Sequence, residues 1–322
     1  MWTQTLVAPG QFQRIDAPTL DEKDVPPGHV LLRTLSGGIC GSDLPNFRGA
    51  VFDHPKDKRG YAARIPGFPM HEVVGEVVLT NHREHAVGDL VVGWASGMDA
   101  IAEYVVSDGE GLATYDKRLT PTTAVMIQPL ACVLFAVEQI PDIDGAEVTV
   151  LGQGPIGLLF SHVLAHRGAR VTGVDRADRS ADAATFGVSE VVTSNADRWA
   201  ASLVEGRRPH LVVEAVGHQI STLRVCVDAV APGGQIFYFG IPDDATYPLE
   251  MLTFLRKNLT LRAGWTSDRR RVLAEADAYL AVHPELQKAY VSDVFAADDV
   301  QRAFETALVP KPRQFKIAID MT

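Results

Sequence analysis

The sequence predicts an α/β protein in two parts, a β-rich domain followed by one built on a doubly wound parallel sheet. Three observations carry this. Short apolar runs broken by Pro, Gly and Asp occupy roughly the first 117 residues. Strand-like and helix-like segments alternate through the middle of the chain. A glycine series, Gly152-Gln153-Gly154-Pro155-Ile156-Gly157, stands between an apolar run and a helical pattern.

In the first part the runs are Val30-Leu31-Leu32, Val73 to Leu79, Leu90-Val91-Val92 and Tyr104-Val105-Val106. Pro26-Pro27-Gly28, Val87-Gly88-Asp89 and Ser107-Asp108-Gly109 separate them, and such residues favour turns over strands. From about residue 118 the period becomes helical. Pro129 suits a first helical position, where its missing N–H has no partner to lose, and Leu130 to Glu138 continue the helix.

The stretch from Val148 to Asp175 organises the second part. Val148 to Leu151 reads as a buried strand, and Ile156, Leu159, Phe160, Val163 and Leu164 as one face of a helix ending at Gly168. Gly152 permits the tight turn, Gly154 lets backbone approach a pyrophosphate, and Gly157 lets helix pack on strand. The helix N-terminus, at Pro155 and Ile156, directs N–H groups and the positive end of its dipole at phosphates. After a second run, Val171 to Val174, Asp175 falls 18 residues past Gly157, where a carboxylate accepts hydrogen bonds from an adenosine ribose. Arg176 follows it, and a guanidinium there could instead pair with a 2′-phosphate, so NAD is favoured over NADP without excluding the latter. Glu190 to Val192, Leu211 to Val213, Gln235 to Phe239 and Leu259 to Leu261 supply further strands, their continuous apolar character suiting a sheet covered on both faces. Beyond Gly264 come a helix over about Arg269 to Ala281 and a stretch, Val294 to Ile319, that resembles neither part. The run Arg269-Arg270-Arg271 reads as an exposed helix face.

Composition bounds the function. The 322 residues suit two domains. Thirty basic against 40 acidic residues give a net charge of −10, which disfavours nucleic acid or an anionic membrane as partner. No apolar run approaches the roughly 18 residues of a membrane span, and Met1 to Gly10 lacks a signal-peptide profile. Cys40, Cys132 and Cys226 make no disulfide framework, so a reducing cytoplasm is expected. Cys132 and Cys226 fit apolar helix stripes and read as core residues.

A second signal lies in the first part, Gly38-Ile39-Cys40-Gly41-Ser42-Asp43 followed by Pro69-Met70-His71-Glu72. Thiolate, imidazole and carboxylate are zinc ligand types, and a catalytic site takes three protein ligands and an open position. From these residues alone Cys40 reads more readily as a small buried hydrophobe and His71 as a satisfied core histidine.

These blocks, with Val87-Gly88-Asp89, Ala102 to Val106, Gln128-Pro129-Leu130-Ala131, Glu214 to Gly217 and Pro232-Gly233-Gly234, resemble in order and spacing the zinc-dependent medium-chain dehydrogenases/reductases. The resemblance runs nearly end to end and implies a GroES-like catalytic domain, residues 1–132 and 267–322, around a Rossmann domain, residues 133–266. It implies a cleft holding zinc, nicotinamide and a small alcohol, and a homodimer or homotetramer. Cys40 and His71 match the first two ligands of one catalytic zinc, with Glu72 beside them either as an exchanging ligand or as a group supporting the ligands, and Gln128 where polyol dehydrogenases usually place Glu. Ser42 matches the proton relay and Lys316 a basic residue near the pyrophosphate.

The departures also matter. No cysteine lies between Cys40 and Cys132, so the four-cysteine structural zinc lobe is absent. Pro45 replaces a proton-passing histidine, and Met70 the Gly before the ligand His. The 31-residue Cys40–His71 separation is long, and its extra loop carries His54, Lys56, Lys58, Arg59 and Arg64, either a solvated surface or a substrate-recognition element. The expected activity is oxidation of a secondary alcohol by NAD. A zinc-free reductase of the same superfamily and a non-catalytic nucleotide-binding scaffold are the alternatives.

Overall fold

A computed structural model describes residues 1–50, 65–141 and 143–322. The loop cations His54, Lys56, Lys58, Arg59 and Arg64 lie outside the described residues. The chain divides into two compact units: Met1–Ala131 with Asp268–Pro310 and Gln314–Thr322, and Cys132–Ser267 with Lys311–Arg313.

The first unit opens with an antiparallel hairpin, β1 (Trp2–Ala8) and β2 (Gln11–Asp16). Then come β3 (His29–Gly38), α1 (Leu44–Arg48), β4 (Glu72–Thr80), β5 (Leu90–Trp94), β6 (Tyr104–Asp108), β7 (Leu112–Thr114), α2 (Pro121–Ala124) and α3 (Ile127–Glu138). The apolar runs of the sequence fall on β3 to β6. Pro129 sits in the first turn of α3 rather than opening it, because Thr120 and Pro121 start a helical segment eight residues earlier. Together α2 and α3 make one stretch, Pro121–Glu138, long and apolar enough to cross a membrane by length and composition. This corrects the expectation that no run approaches that length, and 61% of the stretch is buried in the protein.

The second unit is the parallel sheet. Its elements are β8 (Glu147–Leu151), α4 (Pro155–His166), β9 (Arg170–Asp175), β10 (Val188–Thr193), α5 (Ala196–Ser202), β11 (Leu211–Glu214), α6 (Ser221–Ala229), β12 (Gln235–Tyr238), α7 (Met251–Arg256) and β13 (Thr260–Ala263). Strand order is β10-β9-β8-β11-β12-β13, all parallel. The order reverses between β8 and β11, the switch point where open α/β sheets bind ligands. Val148, Val150, Leu151 and Leu211 to Val213 are all buried, as strands covered on both faces require.

The chain then returns to the first unit as α8 (Arg269–Val282), α9 (Pro284–Ala289), β14 (Val291–Ala296), α10 (Val300–Ala307) and β15 (Lys316–Asp320). Here the C-terminal stretch, which the residue pattern alone leaves unplaced, joins the first sheet. β15 pairs antiparallel with β3 and parallel with β14, extending a sheet of order β14-β15-β3-β4-β5-β7, with β6 also on β3. Phe304 of α10 packs 5.1 Å from Phe47 of α1 and 5.0 Å from Phe12 of β2, fixing this return. Removing a ring so buried costs about 3–5 kcal/mol.

Candidate active site

One row across the first sheet positions the chemistry. Gly38 of β3 stands opposite Glu72 of β4, and Glu72 opposite Trp94 of β5. Residues directly opposite in antiparallel strands share a face, so their side chains meet. A Cβ at Gly38 would collide with the Glu72 carboxylate and lie 2.7 Å from Lys316 Cε and 2.9 Å from Val125 Cγ2. Only glycine leaves the Glu72 carboxylate its room.

Beyond Gly38 the chain turns through a single 3₁₀ turn, Gly41–Asp43. The Cys40 N–H donates to Asp43 Oδ2 at 2.9 Å and the Asp43 N–H to the Cys40 carbonyl at 3.0 Å, which locks the thiol's backbone. The other Asp43 oxygen, Oδ1, lies 2.8 Å from His71 Nδ1, and Asp43 is wholly buried. Burial pulls the His71 imidazole toward neutrality, but the Asp43 charge and hydrogen bond outweigh it and hold its basicity well above the usual range. Nδ1 is thereby committed, and Nε2 is left to act as a ligand.

Glu72 is buried and accepts from Lys316 Nζ through Oε1. Burial pushes its carboxyl up, against the opposing pull of Lys316 and His71. Its second oxygen, Oε2, is buried without a hydrogen-bond partner. One ligand atom each from Cys40, His71 and Glu72 lies within 4.8 Å of the others. A soft thiolate, an imidazole and an orphaned carboxylate oxygen so close together fit one zinc ion.

The remaining candidates are placed as follows. Ser42 is half-buried in the turn between Cys40 and Asp43. Gln128 is 3% exposed at the second residue of α3, three residues past Val125, whose side chain abuts Gly38. Lys316 departs from expectation. The resemblance sets it near a pyrophosphate, yet it is 1% exposed and its ammonium donates to Glu72 and, at 2.9 Å, to the Ile39 carbonyl. Met70 is fully buried, and a Cβ at Gly37 would collide with its methyl group. Gly37 thus makes the room that glycine before the histidine otherwise provides.

In the second unit Gly152 adopts φ +86°, and a Cβ there would meet the Ala215 carbonyl at 3.0 Å. A Cβ at Gly157 would collide with the Gly152 carbonyl, the helix-on-strand approach this position was expected to need. Gly154 faces open space, the room a pyrophosphate requires. Pro155 opens α4. Asp175 ends β9, its Oδ2 accepting from the Gln153 N–H at 2.6 Å and its Oδ1 from the Ala177 N–H at 2.8 Å. Each oxygen keeps a further lone pair for a ribose hydroxyl. Arg176 is exposed.

Sequence reasoning passed over two groups. Asp43 is one, although an acid three residues after Cys40 is the spacing of a reciprocal cap. Arg179, 3% exposed, donates to the Lys311 carbonyl at 2.9 Å and interacts electrostatically with Asp175. Cys226 is core, as expected, whereas Cys132 is only half-buried. The three arginines at 269–271 are not a bare exposed face. Arg270 pairs with Glu84 and Arg271 with Asp268 and Glu275.

Residues 26–117 match the family model of the alcohol dehydrogenase GroES-like domain, and residues 155–282 that of zinc-binding dehydrogenases. The chain is 26% identical over 293 residues to D-arabinitol dehydrogenase 1 of Uromyces fabae, covering 76% of this chain and 79% of that protein. It is 27% identical over 281 residues to L-threonine 3-dehydrogenase of Streptomyces avermitilis, covering 75% and 78%. Among solved structures, an alcohol dehydrogenase of E. coli CFT073 complexed with NADH superposes with a TM-score of 0.80 at 19% identity, covering 100% of this chain and 99% of that one. That last likeness concerns the fold.

Proposed function

The chain belongs to the zinc-type medium-chain dehydrogenase family, and from that premise we propose that it oxidises a secondary alcohol, a polyol, sugar or related hydroxyl compound, with a nicotinamide cofactor. One observation carries the reading: the Cys40, His71 and Glu72 donor atoms within 4.8 Å, in a chain that also holds the glycine turn of a dinucleotide site.

Cys40 and His71 would hold one zinc, with Glu72 Oε2 or Gln128 completing the set. Bound zinc supplies polarisation of the substrate hydroxyl, and the nicotinamide accepts the hydride. Asp43 engages Nδ1 of the imidazole and so leaves Nε2 for the metal. Ser42 Oγ takes up the hydroxyl proton, which leaves through ribose hydroxyls and water, since Pro45 has no group to pass it on. Lys316 offsets part of the cost of burying a charge on Glu72. Gly152, Gly154 and Gly157 shape the pyrophosphate turn, the backbone at Pro155 and Ile156 faces the phosphates, and Asp175 accepts from the ribose. A carboxylate there repels a 2′-phosphate, which favours NAD, with Arg176 the residue that could admit NADP.

A homodimer or homotetramer in the cytoplasm completes the reading. Support for self-association comes from β13, an edge strand with all four residues exposed, and from Leu255 and Trp265, 66% and 72% exposed.

A panel of polyols, sugars, simple alcohols and L-threonine, assayed with NAD and NADP at the reduced-cofactor absorbance, tests this. Turnover of at least one secondary alcohol is expected. Nucleotide binding without turnover across the panel would favour the scaffold alternative.

A further inference from the structure

Three arginines open α8, at the end of a helix whose dipole disfavours cations. Two are compensated. Arg270 reaches Glu84 and, at 3.7 Å, Glu110, and Arg271 lies 2.6 Å from Asp268 and 2.8 Å from Glu275. Arg269 pairs with no carboxylate among the described residues. Its guanidinium carbon lies instead 5.1 Å from the ring centre of Trp94, and its Nη1 is 3.7 Å from where a Cβ on Gly111 would stand. A guanidinium held over an indole by its positive charge keeps N–H groups for a further acceptor, which suits a carboxylate or phosphate.

Its place in the sheet gives this cation a use. Trp94 is directly opposite Glu72, so the indole stands on the face where Glu72, Cys40 and His71 gather. β7, which bears the neighbouring Gly111 turn, lies one strand beyond β5. Arg269 therefore sits one to two strand spacings from Glu72 on the same face, about 5–10 Å to the side. A short hydroxy compound with its reacting carbon at the donor set can place a second group there.

We propose that Arg269, braced on Trp94, binds an anionic group of the substrate, so that the preferred alcohol is a short hydroxy compound carrying a carboxylate or a phosphate ester. The inference rests on the dehydrogenase reading and narrows its substrate class. Arg269 binds substrate and takes no part in hydride or proton movement.

Matched pairs test it: 2,3-butanediol against 3-hydroxybutyrate for the carboxylate, and erythritol against erythritol 4-phosphate for the phosphate. In the intact protein kcat/KM favours the anionic member of at least one pair. Which pair shows the preference distinguishes the two anions. Arg269→Gln lowers the anionic-to-neutral ratio by about 10- to 100-fold, chiefly through KM, the loss expected for a charged hydrogen-bonded contact. Arg269→Lys recovers part of it. An unmoved ratio overturns the proposal, and so does a raised KM for the cofactor in place of the anionic substrate. If neither member of either pair is turned over, the wider alcohol panel still decides the dehydrogenase reading by itself. Calorimetric titration of 3-hydroxybutyrate and erythritol 4-phosphate then decides the anion site. Binding that weakens in Arg269→Gln sustains it, and no binding to the unmodified protein removes it.

Discussion

The buried Asp43 carboxylate stands 2.8 Å from Nδ1 of His71 while its other oxygen caps the turn that carries Cys40. One side chain thus orients both candidate zinc donors, and it does so through a local cap and a contact 28 residues away. Asp43→Ala frees the imidazole to rotate and unties the turn. Zinc affinity should fall by about 10–100-fold, the range for loss of a group that orients a ligand. Competition with a chromogenic chelator reads this out, and an unchanged affinity would deny Asp43 the orienting role.

Lys316→Met tests the second buried contact. It leaves the buried Glu72 carboxyl without its cation, in a place where its Oε2 already lacks a partner. Breaking such a pair from one side costs about 3–5 kcal/mol. Adding Glu72→Gln to the same chain should recover most of that loss, because the amide carries no charge to bury. Urea unfolding of the metal-free forms measures both, and additive rather than compensating losses would contradict the pairing.

Asp99, between β5 and β6, gives a pH dependence. Burial pushes its carboxyl up to about 6, against a hydrogen bond from its own backbone, and its Oδ1 is unpartnered. The folded pKa exceeds the unfolded one, so the folded state favours the protonated form. Asp99 is therefore harmless below about pH 4 and increasingly destabilising as pH rises to 6, reaching about 3 kcal/mol. Asp99→Asn should raise the unfolding free energy at pH 7 and leave it unchanged at pH 4. Equal shifts at both values would contradict the assignment.

Asp175 has both a structural and a recognition role. Its oxygens hold the N–H groups of Gln153 in the glycine turn and of Ala177 after β9. Asp175→Ala should raise KM for NAD by about tenfold or more while affecting NADP less, because the repulsion of a 2′-phosphate is lost together with the ribose contact. A higher kcat/KM with NADP than with NAD in the unmodified enzyme would reverse the cofactor preference.

Local features were legible in the sequence, and distant pairings were not. The glycine turn, the strands on either side of it and the zinc-ligand residue types depend on neighbours within a few positions, where spacing is informative. Lys316 lies 244 residues from Glu72, and only the pairing of β15 with β3 brings the ammonium to the carboxylate. The same pairing explains why the residue pattern alone leaves the stretch from Val294 unplaced, since β15 finds its antiparallel partner β3 near the start of the chain. Met70 looked like a defect in the ligand motif until Gly37, on the facing strand, supplied its space. Arg269 read as an exposed cation because Trp94, its partner, lies 175 positions earlier and shows nothing of the stack in sequence.

The central claim is one catalytic zinc held by Cys40 and His71 on a chain without the structural zinc lobe. Elemental analysis of the purified protein, run alongside Cys40→Ser and His71→Ala, tests it most directly. The account predicts close to one zinc per chain in the unmodified protein, and loss of both zinc and alcohol oxidation in each variant. Two ions per chain, or full activity in protein free of metal, would contradict it.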